Sequence, residues 1–131
     1  MRCAVIGAGA WGTALADLLA SNGNETIIWA HEPDVAQAIE ECHENRRFLA
    51  GQALAPALHA TTDHGVALDG AELVVYATPS QHLRHIARHG ADHVSRSAIL
   101  AVASKGVEHG TLALMTDVVA AEVPNHSVVA I

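Results

Sequence analysis

The sequence predicts an α/β fold built on a doubly wound parallel sheet, and two observations carry that prediction. Apolar runs of strand length alternate with longer runs of helical periodicity from one end of the chain to the other. The first alternation is punctuated by Gly7-Ala8-Gly9-Ala10-Trp11-Gly12, set between the apolar run Cys3-Ala4-Val5-Ile6 and the amphipathic run Thr13 to Asn22. Bulk properties agree. The chain has 131 residues, half of them apolar and 16% charged, which suits one domain with a buried sheet rather than a disordered segment.

Taken in order, the first strand spans 2–6. A helix follows from about Ala10 to Ser21, with Leu15, Leu18 and Leu19 on one face. Asn22-Gly23-Asn24 stops it, with Gly23 as a left-handed cap. A short β-branched strand covers 26–30. Pro33 suits the first turn of a second helix running to about Glu44, with Val35, Ala38, Ile39 and Cys42 turned inward. Residues 45–58 read as a loop, 59–62 as a short strand, and Asp63 as the cap of a short helix through Leu68. Glu72 to Ala77 is nearly all apolar and reads as a central strand. Ser80 caps a helix to about His89, which Gly90 ends. Ile99 to Ala103 is the fifth strand, Thr111 to Glu122 a helix with Leu112, Met115, Val119 and Val123 inward, and Ser127 to Ile131 a sixth strand. Right-handed crossovers and the glycine turn give the expected strand order 3-2-1-4-5-6. A sheet that finishes on its last residue reads as one part of something longer.

Composition excludes several function classes. Seven basic against 14 acidic residues give a net charge of −7, which argues against sequence-independent binding to nucleic acid or an anionic membrane. Four scattered aromatics (Trp11, Trp29, Phe48, Tyr76) build no base-stacking platform. No apolar run approaches transmembrane length. Cys3 and Cys42 form no metal or redox motif, and Met1-Arg2-Cys3 enters a strand at once. The expectation is a protein without a signal peptide in a reducing compartment, the cytoplasm.

A strand, a GxGxxG turn and a helix form the dinucleotide-binding fingerprint, and each glycine has its own reason. Gly7 makes the tight turn. Gly9 lets a pyrophosphate approach the backbone. Gly12 lets the helix pack closely. The free N–H groups at the helix start then face the phosphates. In such a sheet ligands lie beyond the C-terminal strand ends, so the turns at Gly7–Gly12, His31-Glu32, 59–62, Thr78–Gln81 and Ser104–Gly106 carry the chemistry.

Glu32 lies 20 residues after Gly12, near the spacing of a ribose-binding acid, while His31 sits closer to the strand end and suits a 2′-phosphate. The choice between NAD and NADP stays open. Arg46 and Arg47 read as solvated loop residues in preference to phosphate ligands. Phe48 either covers a cofactor ring or caps the sheet. Lys105, in Ser-Lys-Gly, suits an anionic substrate or a carbonyl oxygen gaining charge. His82, His85 and His89 share a helix face, but no carboxylate or cysteine accompanies them, so no metal is assigned.

Five segments together resemble the N-terminal domain of bacterial NAD(P)-dependent glycerol-3-phosphate dehydrogenase. They are Gly-Ala-Gly-Ala-Trp-Gly-Thr-Ala-Leu-Ala (7–16), Ile-Ile-Trp-Ala-His (27–31), Asn-Arg-Arg-Phe-Leu-Ala-Gly (45–51), Ala-Thr-Pro-Ser-Gln (77–81) and Ser-Lys-Gly (104–106). The resemblance implies a Rossmann-type domain over 1–131 and hydride transfer between NAD or NADP and the dihydroxyacetone phosphate/glycerol 3-phosphate pair, a step that feeds glycerophospholipid synthesis. It implies cofactor contacts at Gly7, Gly9, Ala10, Trp11, Gly12, His31, Phe48, Pro79 and Lys105, with Lys105 also touching substrate. It places no proton donor in this chain: that lysine belongs to a helical C-terminal domain expected beyond residue 131. It allows a homodimer built through that domain. Two departures stand out. Ala10 replaces the family's usual Ser or Asn and removes one side-chain contact to phosphate, and Ala50 replaces a frequent Pro. Other dehydrogenases of similar plan, ketopantoate reductase-like or 3-hydroxyacid dehydrogenase-like, would share the first segment. A non-catalytic dinucleotide-sensing module is the alternative of a different class.

Overall fold

The computed structural model describes all residues, Met1–Ile131. Its elements run β1 (Arg2–Ile6), α1 (Ala10–Ser21), β2 (Glu25–Trp29), α2 (Pro33–Cys42), β3 (Glu44–Asn45), β4 (Leu49–Ala53), β5 (Leu58–Thr61), α3 (His64–Leu68), β6 (Leu73–Tyr76), α4 (Ser80–Gly90), a 3₁₀ turn (Ala91–His93), β7 (Ile99–Val102), α5 (Met115–Glu122) and β8 (Ser127–Ala130). Six strands form one parallel sheet in the order β5-β2-β1-β6-β7-β8, and β3 pairs with β4 in a separate antiparallel hairpin. The hairpin shifts the labels relative to the expected order. Counted among themselves, the six sheet members run 3-2-1-4-5-6.

Alternation along each strand divides the core in two. Ala4, Ile6, Val74, Tyr76, Leu100 and Val102 face α3, α4 and α5. Val5, Ile28, Val75 and Ala101 face α1 and α2. The register levels the strand ends: Ile6 lies beside Trp29 and Tyr76, Tyr76 beside Val102, and Trp29 beside Thr61. The turns that follow these five strands therefore open along one edge. No helix is long and apolar enough to cross a membrane.

Several local expectations are corrected. The buried face of α1 is Gly12, Thr13, Ala16 and Ala20; Leu15 and Leu19 are half-buried and Leu18 is exposed. Small residues let this helix sit close to the sheet, so the leucines mark its flank. Helix α2 ends at Cys42, not Glu44, because His43 turns left-handed (φ 52°), and Ala36 takes the inward place expected of Cys42, which is exposed. The segment expected to be loop contains the β3–β4 hairpin. Helix α5 begins four residues later than expected: Leu112 adopts φ 59° and is 73% exposed, and the loop before α5 closes on an isolated Val107–Leu114 bridge. Pro79, not Ser80, holds the N-cap position of α4. Gly90 is the last residue of that helix, and a Cβ there would press on Leu68 at 2.8 Å, so its role is close packing on α3. Asp63 caps α3 as expected, accepting from the Val66 N–H at 3.0 Å.

Candidate functional site

The open edge carries a cleft of about 950 Å³, at the upper end of the range for small-molecule and cofactor sites. Its floor is the turn from β1 into α1. Gly7 adopts φ +118° and a Cβ there would lie 2.6 Å from the Ala77 carbonyl oxygen. A Cβ on Gly12 would collide with the Gly7 carbonyl oxygen. Both glycines are thus required by the turn itself. Gly9 is different: a Cβ there meets nothing within 4 Å, so its missing side chain leaves open space on the cleft side. Helix α1 has no side-chain cap and no acidic residue in its first turn. Its leading N–H groups and positive dipole end are therefore available to an anion.

A residue that the sequence reading passed over holds this floor in place. Asn45 is fully buried. Its Nδ2 donates to the Ala8 carbonyl at 2.9 Å and to Thr13 Oγ1 at 2.8 Å, and its Oδ1 accepts from the Phe48 N–H at 3.0 Å. It ties the hairpin to the glycine turn and sets Phe48 at the cleft rim. A lone Asn opening a polar loop gives no sequence signal of that reach. The neighbouring arginines point elsewhere: Arg46 pairs with Glu44, and Arg47 pairs with Asp34 at 3.6 Å while lying 5.3 Å from the centre of the Phe48 ring. Neither lines the cleft.

One wall is a row of rings. Trp29, fixed by its indole N–H to the Thr62 carbonyl (2.9 Å), lies 4.2 Å from the His64 ring and 6.1 Å from His31, measured between centroids. His64 continues to His89 at 5.0 Å, and His89 to His85 at 6.3 Å. Burial, reinforced by His89 nearby, pushes the His64 imidazole down to about 4. It is therefore neutral at pH 7, and its Nε2 is buried without a hydrogen-bond partner. The stripe His82, His85 and His89 thus faces the cleft, and the sequence spacing alone could not show that His64 joins it. No three ligating side chains are grouped to hold a metal ion.

All nine residues predicted to touch cofactor line this one cleft: Gly7, Gly9, Ala10, Trp11, Gly12, His31, Phe48, Pro79 and Lys105. Trp11 is 57% exposed and Phe48 38% exposed, two large apolar groups left at the rim. Glu32 is there too. Thr78 lies on the floor between β6 and α4, buried, with an Oγ1 that has no partner. Lys105 leaves β7 with neither an ion pair nor a hydrogen bond on its ammonium, on a turn where Gly106 adopts φ +104°.

A family profile described as the N-terminus of NAD-dependent glycerol-3-phosphate dehydrogenase matches residues 2–131. The chain belongs to this family. Among curated relatives, the glycerol-3-phosphate dehydrogenase [NAD(P)+] of Rhodospirillum rubrum is 46% identical over 121 residues, which covers 92% of this chain and 35% of that protein. The enzyme of the same name from Bacillus subtilis is 34% identical over 124 residues, covering 95% and 36%. The chain thus spans little more than a third of the length of these relatives. Among solved structures, glycerol-3-phosphate dehydrogenase from Coxiella burnetii superposes with a TM-score of 0.86 at 28% identity, over 97% of this chain and 38% of that one. A ketopantoate reductase from Ralstonia eutropha shares the fold at a TM-score of 0.72 and 23% identity. The family match, which runs through all five sequence segments, favours glycerol-3-phosphate dehydrogenase over that alternative.

Proposed function

We propose that this glycerol-3-phosphate dehydrogenase domain is the cofactor-holding part of an oxidoreductase that interconverts dihydroxyacetone phosphate and sn-glycerol 3-phosphate with NAD or NADP. The observation that carries this reading is the meeting, in one cleft, of an anion cradle and a free ammonium: Gly9 with the α1 N-terminus, and Lys105. The residues present fit a dinucleotide. The backbone N–H groups of Ala10, Trp11 and Gly12 receive the pyrophosphate, which Gly9 admits because no side chain fills the space above it. His31 and Glu32 lie where the adenosine ribose would sit, and the choice of NAD or NADP turns on them. Pro79 and Lys105 mark the nicotinamide end. The bound nicotinamide supplies the hydride. Lys105 holds the carbonyl oxygen of the substrate as it gains negative charge, or the substrate phosphate beside it. The proton donor, the substrate-holding helical domain and any dimer formed through it are proposed to lie in the remaining length that the relatives possess. The enzyme would work on small soluble substrates, and the cytoplasm is the proposed compartment.

The test uses the full-length protein. Dihydroxyacetone phosphate should drive NAD(P)H oxidation, followed by the loss of absorbance of the reduced cofactor. Lys105→Ala should lower turnover by roughly 100- to 1000-fold, the usual loss on removing one transition-state charge contact, with an unchanged circular dichroism spectrum. Near wild-type turnover in the folded variant would return Lys105 to the role of a solvated lysine. The 131-residue chain alone should bind the cofactor weakly and turn nothing over.

A further inference from the structure

Lys105 is the only lysine in the chain, and nothing holds its ammonium directly. What fixes it is the loop on which it rides. That loop, residues 104–114, is largely exposed and contains three left-handed residues, Gly106 (φ 104°), Gly110 (φ 87°) and Leu112 (φ 59°). Bonds within the loop, from the Glu108 N–H to the Ala113 carbonyl and from the Leu112 N–H to the Glu108 carbonyl, with the Val107–Leu114 bridge, shape it but do not set where it sits against the cleft; that is set from outside it.

Three side-chain bridges set it, all made to the segment between β6 and the middle of α4. Ser104 Oγ donates to the Thr78 carbonyl at 2.6 Å, immediately before Lys105. Beyond Lys105, Gln81 binds the loop backbone twice: Nε2 donates to the Val107 carbonyl at 3.2 Å, and Oε1 accepts from the His109 N–H at 3.0 Å. One turn further along the helix, Arg84 grips Glu108 with two parallel N–H groups, Nε to Oε2 at 2.8 Å and Nη2 to Oε1 at 2.9 Å. Its third arm reaches Glu122 on α5 at 2.6 Å, and Arg88 holds that same carboxylate at 2.8 and 2.9 Å. The planar fork of Arg84 is thereby immobilised at both ends. Gln81 and Arg84 do not line the cleft.

We propose that Gln81 and Arg84 are positioning residues that hold Lys105 in the cleft by clamping the loop after β7 onto α4. The proposal rests on the role of Lys105 given above. It predicts that their contribution to turnover passes through Lys105. A 1 Å misplacement of a reacting group costs about 100-fold, so Gln81→Leu in the full-length enzyme should lower kcat with dihydroxyacetone phosphate roughly 10- to 100-fold, with a smaller change in NAD(P)H affinity. Arg84→Met should act in the same direction, and Arg84→Lys should restore only part of the loss because a point charge cannot make the two-pronged grip.

The deciding measurement is a double-mutant cycle. If Gln81 acts through Lys105, then Gln81→Leu made in a Lys105→Ala background should change kcat by less than about twofold. Equal losses in both backgrounds would overturn the proposal, since a general structural role is indifferent to Lys105. So would near wild-type kcat in Gln81→Leu. Gln81 is exposed, so the variant should fold; Gln81→Glu, which keeps the acceptor for His109 and opposes the Val107 carbonyl, provides an intermediate case. Should the wild-type protein fail to reduce dihydroxyacetone phosphate, the functional reading falls and the clamp is judged by amide hydrogen exchange. Gln81→Leu should then speed exchange at His109 at least about tenfold through loss of its acceptor, and unchanged exchange there would refute the clamp.

Discussion

Replacing Asn45 should destabilise the domain more than any other change to a polar residue in the hairpin, and the structure allows the size to be worked out. Its side chain is fully buried and makes three hydrogen bonds, to Ala8, Thr13 and Phe48. Each is worth about 1 kcal/mol net, and a buried group left unpaired adds its own desolvation. Asn45→Ala deprives the Phe48 N–H of its acceptor, whereas the Ala8 carbonyl keeps a second donor in Thr13 Oγ1 at 3.3 Å. The sum is about 2–4 kcal/mol, a large part of the ~5–15 kcal/mol that keeps a domain folded. In urea, with a slope of about 2 kcal/mol per molar, the midpoint should fall by roughly 1–2 M. Asn45→Asp is the sharper version. It keeps the acceptor for Phe48 but turns the donor toward Ala8 into a carboxylate. Burial raises that carboxyl in the folded state above its unfolded value of about 3.9, so the variant should be at its best below that pH and weaken as pH rises through the folded value. The Asn45→Ala penalty should be flat over the same range. A midpoint shift below about 0.3 M for Asn45→Ala would mean that the hairpin is not anchored through this side chain.

The glycine turn makes a contrast that cofactor titration and thermal melting resolve together. Gly9→Val should abolish dinucleotide binding and leave the melting temperature nearly unchanged, because the space above it is empty; Gly12→Ala should melt early, by an overpacking cost of about 1–3 kcal/mol or more, because the atom it strikes is backbone. His64, held down to about 4 by burial against Trp29 and α4, with His85, His89 and His93 near and Asp63 opposing, stays neutral while the unfolded chain takes up a proton below about 6.5. Stability should therefore decline as pH falls between those values, and His64→Phe should remove that part of the decline in urea midpoints taken from pH 7 to 4.5. Glu108 and Glu122 sit at about 2 because Arg84 and Arg88 hydrogen-bond to them. What they contribute is present above their unfolded values of about 4.3 and lost as pH falls through about 2, so Arg84→Met should lower stability at neutral pH, by an amount limited by solvent screening, and should lose less further stability than the wild type in urea midpoints taken from about pH 5 downward.

The order of elements, the sheet and the glycine turn were legible because each is written in local pattern: apolar runs, punctuation, and one loop whose steric demands admit only glycine. What was not legible depends on contacts made far along the chain. Leu15, Leu18 and Leu19 looked like the inward face of α1, yet the face that meets the sheet is built of Gly12, Thr13, Ala16 and Ala20, because closeness outweighs the size of the apolar group there. Asn45 reaches 32 residues back to Thr13 and Gln81 reaches 28 forward to His109. A single Asn or Gln in a polar stretch carries no periodicity from which such a reach can be read. Leu112 misled for the opposite reason: it fits the spacing of the helix that follows, but its backbone is left-handed and the helix starts after it.

These long reaches explain the short segments by which the family was recognised. Four of the five contain both a residue at the cleft and one whose contacts fix local or neighbouring backbone. In 45–51 Phe48 lies at the rim and Asn45 anchors the chain beneath it. In 77–81 Pro79 lines the cleft and Gln81 reaches away to bind the neighbouring loop. In 104–106 Lys105 enters the cleft and Ser104 fastens the loop to Thr78. The glycine turn follows the same division, with Gly9 open to a ligand while Gly7 and Gly12 serve the turn. A site on loops needs this pairing, since a contacting side chain is only as well placed as the backbone that carries it, and loop backbone has no ladder of its own to fix it. It follows that substitutions at the anchoring members should reach the ligand through their partners: Asn45 through Phe48 and the glycine turn, Gln81 through Lys105.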